Sequence, residues 1–122
     1  MNQILCVDSY KNQRLLYEQE LSLEGYKTTT VSNGREALEK VKIRRPDLII
    51  MDVCMLNMND IKALCNFVKK HKDTLLIIYT AYAGYKYLFR SWAIDAYIVK
   101  SSDLTELKNK IKELLKKEAV VA

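Results

Sequence analysis

Four polar side chains in this sequence follow directly on short apolar runs: Asp8, Asp52, Thr80 and Lys100. Together they supply two carboxylates, one hydroxyl and one ammonium group. A carboxylate at the end of a hydrophobic strand is costly to bury unless it is paired with a cation or bound to a metal ion. If the four runs lie side by side, these residues predict one charged pocket.

Each of these residues also has a simpler structural explanation. Asp8 or Ser9 can cap the helix that follows, because Asp and Ser side chains accept hydrogen bonds from the free N–H groups at a helix start. Asp52 can cap a turn, Thr80 can end a strand, and Lys100 can be solvated. Taken singly, these roles are the more frequent ones. The occurrence of all four at strand ends favours a shared site.

The elements that must position the four groups are short strands. Four runs are nearly continuous in apolar residues, which is typical of strands buried on both faces of a parallel sheet. The segment Thr28–Val31 is more polar and is predicted to lie at an edge. The four buried runs are Ile4–Val7, Leu48–Met51, Leu75–Tyr79 and Tyr97–Val99.

Five segments with helical spacing of apolar residues alternate with the strands. Strand and helix therefore alternate five times, which predicts an α/β fold with helices on both faces of a parallel sheet. We expect one domain over residues 1–122, with its core at about 3–117, no output domain, and a frayed tail after Lys117. The first helical segment contains Leu15, Leu16, Glu20 and Leu23 and stops at Gly25, and the second runs from Asn33-Gly34 to before Pro46. The third has Ile61, Leu64, Cys65 and Val68 on one face and Asn59 or Asp60 as its cap, and a short fourth covers about 84–93. The fifth contains Leu104, Leu107, Ile111, Leu114 and Leu115 and follows a capping pair of Asp103 and Glu106.

Composition excludes several classes of protein. The 122 residues carry a formal net charge of +5, yet no nucleic-acid motif accompanies the lysines, and solvated helix faces explain most of them. No apolar run approaches the roughly 20 residues that span a membrane, and no secretory signal opens the chain. The three cysteines lack metal-ligand spacing and indicate reduced thiols in a cytoplasmic protein.

In an open doubly wound sheet, ligands bind beyond the carboxyl ends of the strands. The motifs at these ends, together with Asn33–Leu38, resemble the response regulator receiver domain, and the resemblance covers about residues 3–117. It is nearest to the stand-alone receivers of sporulation-type phosphorelays. It implies a flavodoxin-like five-stranded sheet of order 2-1-3-4-5. The matching motifs are ILCVDS, LIIMD with Met58 six residues beyond Asp52, YTAY and AYIVK.

The resemblance implies a role for each strand-end residue. Asp52 would accept a phosphoryl group, and Mg²⁺ would be held by Asp8, Asp52 and the backbone carbonyl of Cys54. Lys100 and Thr80 would contact the phosphoryl oxygens. Tyr97 would be the aromatic residue that moves when the domain switches. This is a signalling role in a two-component system or phosphorelay, not that of an enzyme.

Three departures from the family pattern bear on this site. Ser9 stands where a second acidic residue is usual, so we expect weaker Mg²⁺ binding. The loop after Asp52 has Asn57 and Asp60 at turn positions, and Asp60 is expected to cap a helix. Ser101 replaces the usual Pro, so the preceding peptide bond is expected to be trans and Lys100 to be less firmly placed. Two positions that tune phosphoryl lifetime carry Cys54 and Tyr82, which predicts slow self-hydrolysis.

The implied partners are a histidine kinase or phosphotransfer protein and a downstream protein, with no direct contact to nucleic acid or membrane. The donor would dock on the first helix, where Tyr10, Asn12, Gln13 and Leu16 are candidates. Tyr85 and Tyr87 would centre a second surface. The protein is expected to be a monomer or a weak dimer through its fourth helix, fifth strand and fifth helix.

Two other functions stay open. A degenerate receiver would bind a partner without being phosphorylated, which Ser9, Asp60 and Ser101 favour. A small nucleotide- or flavin-binding α/β protein is disfavoured, because no glycine-rich phosphate loop follows the first strand.

Overall fold

The computed structural model describes residues 2–54, 57–87, 92 and 94–121. Five parallel strands form one sheet of order β2-β1-β3-β4-β5, as expected, with the more polar strand β2 at one edge. Four of the strands lie within a residue or two of the bounds predicted from the apolar runs, and β3 has the predicted bounds. The strands are β1 (Gln3–Val7), β2 (Lys27–Val31), β3 (Leu48–Met51), β4 (Leu75–Thr80) and β5 (Ala96–Val99).

Helices cover both faces of the sheet. On one face, α1 and α4 pack against alternate strand residues such as Ile50 and Ile77; on the other, α2 and α3 pack against Ile49 and Ile78. This two-layer core follows from right-handed crossovers between parallel strands. The described helices are α1 (Lys11–Leu23), α2 (Gly34–Ile43), α3 (Met58–Lys70), a 3₁₀ helix (Ala83–Tyr87) and α4 (Thr105–Val121).

Local signals set most helix ends. The Asn33 side chain accepts a hydrogen bond from the Glu36 backbone at 2.9 Å and so begins α2. Gly25 follows α1 with φ of +92°, a conformation that glycine adopts without steric cost. The carboxylate of Asp103 accepts a hydrogen bond from the Thr105 backbone N–H at 2.9 Å, and this bond lowers the pKa of Asp103.

Two expectations about the helices are wrong, and a third is tested only in part. The cap of α3 is Asn57, whose side chain accepts from the Asn59 backbone at 2.8 Å, so neither Asn59 nor Asp60 holds that position. The short segment expected at 84–93 begins as a 3₁₀ helix, and residues 88–91 and 93 lie outside the described part. The last helix continues to Val121, through the tail expected to be frayed.

The described helices also bear on membrane insertion. None of those in the described part of the chain combines the length and the apolar content that crossing a bilayer requires.

The starts of α2 and α3 approach each other closely at Gly34. A Cβ atom on Gly34 would lie 2.5 Å from the Cβ of Asp60. We therefore expect Gly34→Ala to lower the free energy of unfolding by about 1–3 kcal/mol through overpacking. Urea denaturation measures this effect. Adding Asp60→Gly should relieve part of the loss, and a Gly34→Ala cost that is the same in both backgrounds would contradict the contact.

Candidate functional site

Asp8, Asp52 and Lys100 are held by the sheet itself, although they lie just beyond the strands. The backbone N–H of Asp8 donates to Val31 at 3.1 Å, and that of Asp52 donates to Val7 at 3.0 Å. The N–H of Lys100 donates to the carbonyl of Thr80 at 2.7 Å. Each ladder of hydrogen bonds thus continues one residue past its strand, which brings three of the four predicted residues to one edge on rigid backbone.

The side chain of Lys100 joins the two carboxylates. Its Nζ lies 2.8 Å from Oδ2 of Asp8 and 2.8 Å from Oδ2 of Asp52. Both carboxylates are buried, and 15% of the lysine side chain is exposed. Burial lowers the pKa of Lys100, but hydrogen bonds to Asp52 and Asp8 outweigh this and raise the pKa overall. Two carboxylates and one ammonium leave the cluster with a net charge of −1.

The second oxygen of each carboxylate is fixed by nearby backbone. Oδ1 of Asp8 accepts from the Tyr10 N–H at 2.9 Å, and Oδ1 of Asp52 accepts from the Cys54 N–H at 3.0 Å. Asp8 therefore closes the turn before α1 and also joins the charged cluster. The expectation that it caps α1 is wrong, because the N-cap is Tyr10 and no side chain caps that helix. Because the backbone contacts fix one oxygen of each carboxylate, the other oxygen of each points to Lys100.

Ser9 does not cap the helix. Its Oγ is buried and lacks a hydrogen-bond partner within the described residues. A buried hydroxyl without a partner is costly, so it marks a position where a water molecule or a ligand fits. The described part of the chain contains no group of three or more His, Cys, Asp or Glu side chains that could hold a metal. The two carboxylates are oxygen ligands that the cluster offers to a hard cation, and Ser9 is the neighbour of Asp8 in the chain.

Thr80 is buried at the end of β4 and contacts the loop after Asp52. Its Oγ1 lies 2.7 Å from Sγ of Cys54. Thr80, predicted to contact the phosphoryl group, is therefore in direct contact with Cys54, predicted to tune the lifetime of that group. The half-buried Tyr97 donates its hydroxyl to the carbonyl of Tyr82, whose side chain is 55% exposed. This hydrogen bond joins β5 to the segment that follows Thr80.

The peptide bond between Lys100 and Ser101 is trans, as expected, because no cis bond occurs in the described residues. The expectation that Lys100 is loosely placed does not fit the structure. Its ammonium group has two carboxylate partners and lies 5.8 Å and 6.0 Å from the ring centroids of Tyr10 and Tyr79. Side-chain contacts therefore hold Lys100 in place, although the residue after it is Ser101 and not the proline of the family pattern.

Sequence reasoning missed Tyr17 and Tyr79 as members of this site. The hydroxyl of Tyr17 lies 3.4 Å from Oδ2 of Asp8, and its ring centroid lies 6.3 Å from that of Tyr79. Burial raises the pKa of Tyr17 above its ordinary value, so its hydroxyl stays protonated and can donate. Tyr17 and Leu21 are four residues apart and share one face of α1, but leucines on the other faces hide this spacing as a signal.

Of the predicted docking residues, Tyr10 lies beside the cluster, with its ring centroid 5.8 Å from Nζ of Lys100. Tyr10, Asn12 and Leu16 are exposed and Gln13 is half-buried. The side chains of Tyr85 and Tyr87 lie outside the described residues, so the second predicted surface stays a prediction.

Comparison with known proteins gives a consistent result. The model of the response regulator receiver domain matches residues 4–112. The chain is 36% identical over 110 residues to the regulatory protein AtoC of Escherichia coli, a match that covers 88% of this chain and 24% of AtoC. It is 32% identical over 120 residues to the response regulator ArlR of Staphylococcus aureus, covering 97% of this chain and 54% of ArlR. The chain thus spans about a quarter and about half of the length of these two relatives.

Two crystal structures contain a similar chain, the response regulator protein TrrA of Thermotoga maritima. One holds TrrA in complex with Mg²⁺–BeF; it has a TM-score of 0.84 and 42% identity, and the match covers 93% of this chain and 99% of that one. The other holds the histidine kinase ThkA in complex with TrrA; its TM-score is 0.82 at 43% identity, with coverage of 94% and 99%.

Proposed function

This chain belongs to the response regulator receiver domain family, and from that premise we propose that it accepts a phosphoryl group on Asp52. The observation that carries the proposal is the buried cluster in which Lys100 binds both Asp8 and Asp52 at 2.8 Å. Membership of the family by itself establishes the fold and does not establish the chemistry. Here the carboxylate, the ammonium group and the hydroxyl of Thr80 all lie at one edge of the sheet.

The proposed reaction transfers a phosphoryl group from a phosphohistidine. An oxygen of the Asp52 carboxylate attacks phosphorus, the new O–P bond forms, and the P–N bond breaks with its electron pair going to the imidazole nitrogen. The product is an acyl phosphate on Asp52. Lys100 stays beside the transferred group as a positive charge, and Thr80 can donate its hydroxyl to a phosphoryl oxygen once its contact with Cys54 is given up.

Mg²⁺ would be held by the carboxylates of Asp8 and Asp52, the carbonyl of Cys54 and the hydroxyl of Ser9. The buried Ser9 hydroxyl without a partner supports this assignment. When bound, the ion neutralises negative charge on the phosphoryl oxygens and on the acceptor carboxylate. The residues of the chain then have to orient the carboxylate and exclude water, which the burial of Asp8 and Asp52 favours.

A small phosphodonor tests the function directly. We expect the protein to gain the mass of one phosphoryl group when it is incubated with Mg²⁺ and acetyl phosphate or phosphoramidate, followed by intact mass spectrometry. The same incubation with excess EDTA is the control and should give no gain. No gain at any Mg²⁺ concentration up to tens of millimolar would overturn the proposal.

Ser9→Asp should tighten Mg²⁺ binding about tenfold, equivalent to about 1.4 kcal/mol. The new carboxylate restores a charge beside the cation, and part of its Coulomb attraction is offset by desolvation. Titration of intrinsic fluorescence with MgCl₂ measures the affinity. Ser9→Ala is the matched control, since it removes the hydroxyl without adding charge, and it should not tighten binding. Equal affinities of wild type and Ser9→Asp would show that the hydroxyl already replaces the carboxylate.

The proposed phosphodonor is a histidine kinase or a phosphotransfer protein. The TrrA–ThkA complex supports this, because it joins a similar receiver to a histidine kinase. We propose the exposed residues at the start of α1 as the contact: Tyr10, Asn12 and Leu16, with Gln13 beside them. The chain would act as a signalling switch and not as an enzyme, and Cys54 and Tyr82 would make its acyl phosphate long-lived.

A second function is supported by one observation. Ser9, not a second acid, follows Asp8, and Lys100 neutralises part of the charge of Asp8 and Asp52. A domain with this site can keep its shape and bind a partner without phosphorylation. Failure of the phosphodonor experiment together with binding of the unmodified chain to its partner would favour this function.

A further inference from the structure

Lys100 lies between aromatic rings as well as between carboxylates. Its Nζ is 5.8 Å from the ring centroid of Tyr10 and 6.0 Å from that of Tyr79. A cation within about 6 Å of a tyrosine face is attracted by the negative face of the ring. Lysine carries its charge on a flexible four-carbon stem, so its direction depends on such surroundings. The rings therefore restrict where the ammonium group points.

Tyr79 links this ring contact to the backbone that follows Lys100. Its side chain, on β4, is 1% exposed. Burial raises the pKa of Tyr79, and a hydrogen bond from the backbone of Ser101 opposes that rise. The Tyr79 hydroxyl therefore lies beside the peptide directly after Lys100, while the ring faces the ammonium group of the same lysine.

Tyr17 completes the contacts from the side of α1. It is fully buried, and its ring packs against Tyr79 with a centroid distance of 6.3 Å and an interplanar angle of 58°. Its hydroxyl lies 3.4 Å from Oδ2 of Asp8, the same oxygen that binds Lys100. The direction of the Asp8 carboxylate is therefore set by a helix residue as well as by the lysine.

Filling the core does not explain the two hydroxyl groups. Phenylalanine has the same ring and avoids the cost of burying a hydroxyl, about 1–3 kcal/mol when the group is not hydrogen-bonded. Among the described side chains, Tyr17 and Tyr79 are the fully buried tyrosines. The Tyr17 hydroxyl contacts Asp8, and the Tyr79 hydroxyl lies beside the backbone of Ser101, so both are next to groups that flank Lys100.

We propose that Tyr17 and Tyr79 are positioning residues that aim Asp8 and Lys100 at Asp52. In this chain the peptide bond after Lys100 is trans, and these two tyrosines orient the lysine instead. The catalytic part of this inference rests on the proposed function, whereas the orientation of Lys100 can be measured without phosphorylation.

Two conservative variants test the proposal. Tyr17→Phe and Tyr79→Phe remove one hydroxyl each and keep the ring, so the fold is retained. Tyr26→Phe is the matched control, because Tyr26 is half-buried against the same core but lies at the start of β2, away from the site. The measurements are the rate of phosphoryl gain from phosphoramidate, the thermal midpoint, and the NMR signal of the Lys100 ε-methylene group, identified by its loss in Lys100→Met.

We expect both variants to lower the rate about fivefold and to move the Lys100 signal toward that of a free lysine. The thermal midpoint should fall by no more than about 5 °C. Tyr26→Phe should change neither the rate nor the signal. An unchanged Lys100 signal in both variants would overturn the proposal, even if their midpoints fall.

The NMR measurement separates this proposal from the proposed function. If wild type gains no phosphoryl group but the Lys100 signal moves in the variants, the function fails and the positioning role stands. If wild type is phosphorylated and neither the rate nor the signal responds to Tyr17→Phe and Tyr79→Phe, the positioning role fails and the function stands.

Discussion

Asp52→Asn will abolish uptake of the phosphoryl group, lowering the rate by at least about a hundredfold. Asparagine keeps the shape of the side chain but has no anionic oxygen to attack phosphorus. The amide oxygen can still accept the hydrogen bond that Oδ1 of Asp52 receives from the Cys54 backbone at 3.0 Å. Loss of activity is therefore expected in a folded domain, because the variant loses the nucleophile together with one proposed Mg²⁺ ligand.

Intact mass spectrometry after incubation with phosphoramidate and Mg²⁺ measures this loss, and circular dichroism verifies the fold. Asp60→Asn is the matched control, since Asp60 lies in the first turn of α3 beyond the loop that follows Asp52. That variant should be phosphorylated as wild type is. A phosphoryl group still gained by Asp52→Asn would place the acceptor elsewhere and contradict the assignment.

Lys100→Met will lower the free energy of unfolding by about 3–5 kcal/mol, the typical cost of removing one partner from a buried ion pair. The variant leaves Asp8 and Asp52 buried as like charges without the cation that binds both at 2.8 Å. Urea denaturation at neutral pH measures the effect. Adding Asp52→Asn should recover a large part of it, because only one buried charge is then unpaired.

Lys108→Met is the control for this measurement. Lys108 also binds a carboxylate, that of Glu20 at 2.9 Å, but both side chains are partly exposed. Water screens the charges of such a pair, so this variant should be nearly as stable as wild type. Equal losses in Lys100→Met and Lys108→Met would contradict a special role of the buried cluster.

The stabilisation from Lys100 also has a defined dependence on pH. Burial lowers the pKa of Lys100, while the two carboxylates raise it by more, so the folded pKa lies above the ordinary value of 10.5. A raised pKa of a cationic group contributes stability that is fully present below the unfolded pKa and is lost as pH rises through the folded one. The difference in stability between wild type and Lys100→Met should therefore be constant from pH 7 to 9 and shrink above about pH 10.5.

Much of the fold follows from local patterns. A continuous apolar run such as Leu48–Met51 can only be stable when both faces are covered, so it predicts a central parallel strand. The cap at Asn33 and the stop at Gly25 depend on hydrogen bonds and dihedral angles within a few residues. Such helix ends are kept in the folded protein because no tertiary contact opposes these local hydrogen bonds and dihedral angles.

The orientation of α1 was not predictable in the same way. Leucines occur around this helix, and the fold buries Tyr17 and Leu21 while Leu15 and Leu23 are 52% and 78% exposed. Which face of such a helix is buried depends on how the chain crosses from β1 to β2. Hydrophobicity alone does not distinguish the two faces.

The sequence by itself determined the α/β class and the edge at which Asp8, Asp52, Thr80 and Lys100 lie, because the carboxyl ends of parallel strands meet at one edge. The order of strands followed from the family resemblance of its motifs. The tertiary structure alone decided how these groups are joined. The Lys100–Asp8 contact spans 92 positions of the chain, and the tyrosines that surround it come from α1, β4 and the loop after β1. Side-chain directions at a buried site are set by such distant neighbours, since local propensity acts only over a few residues.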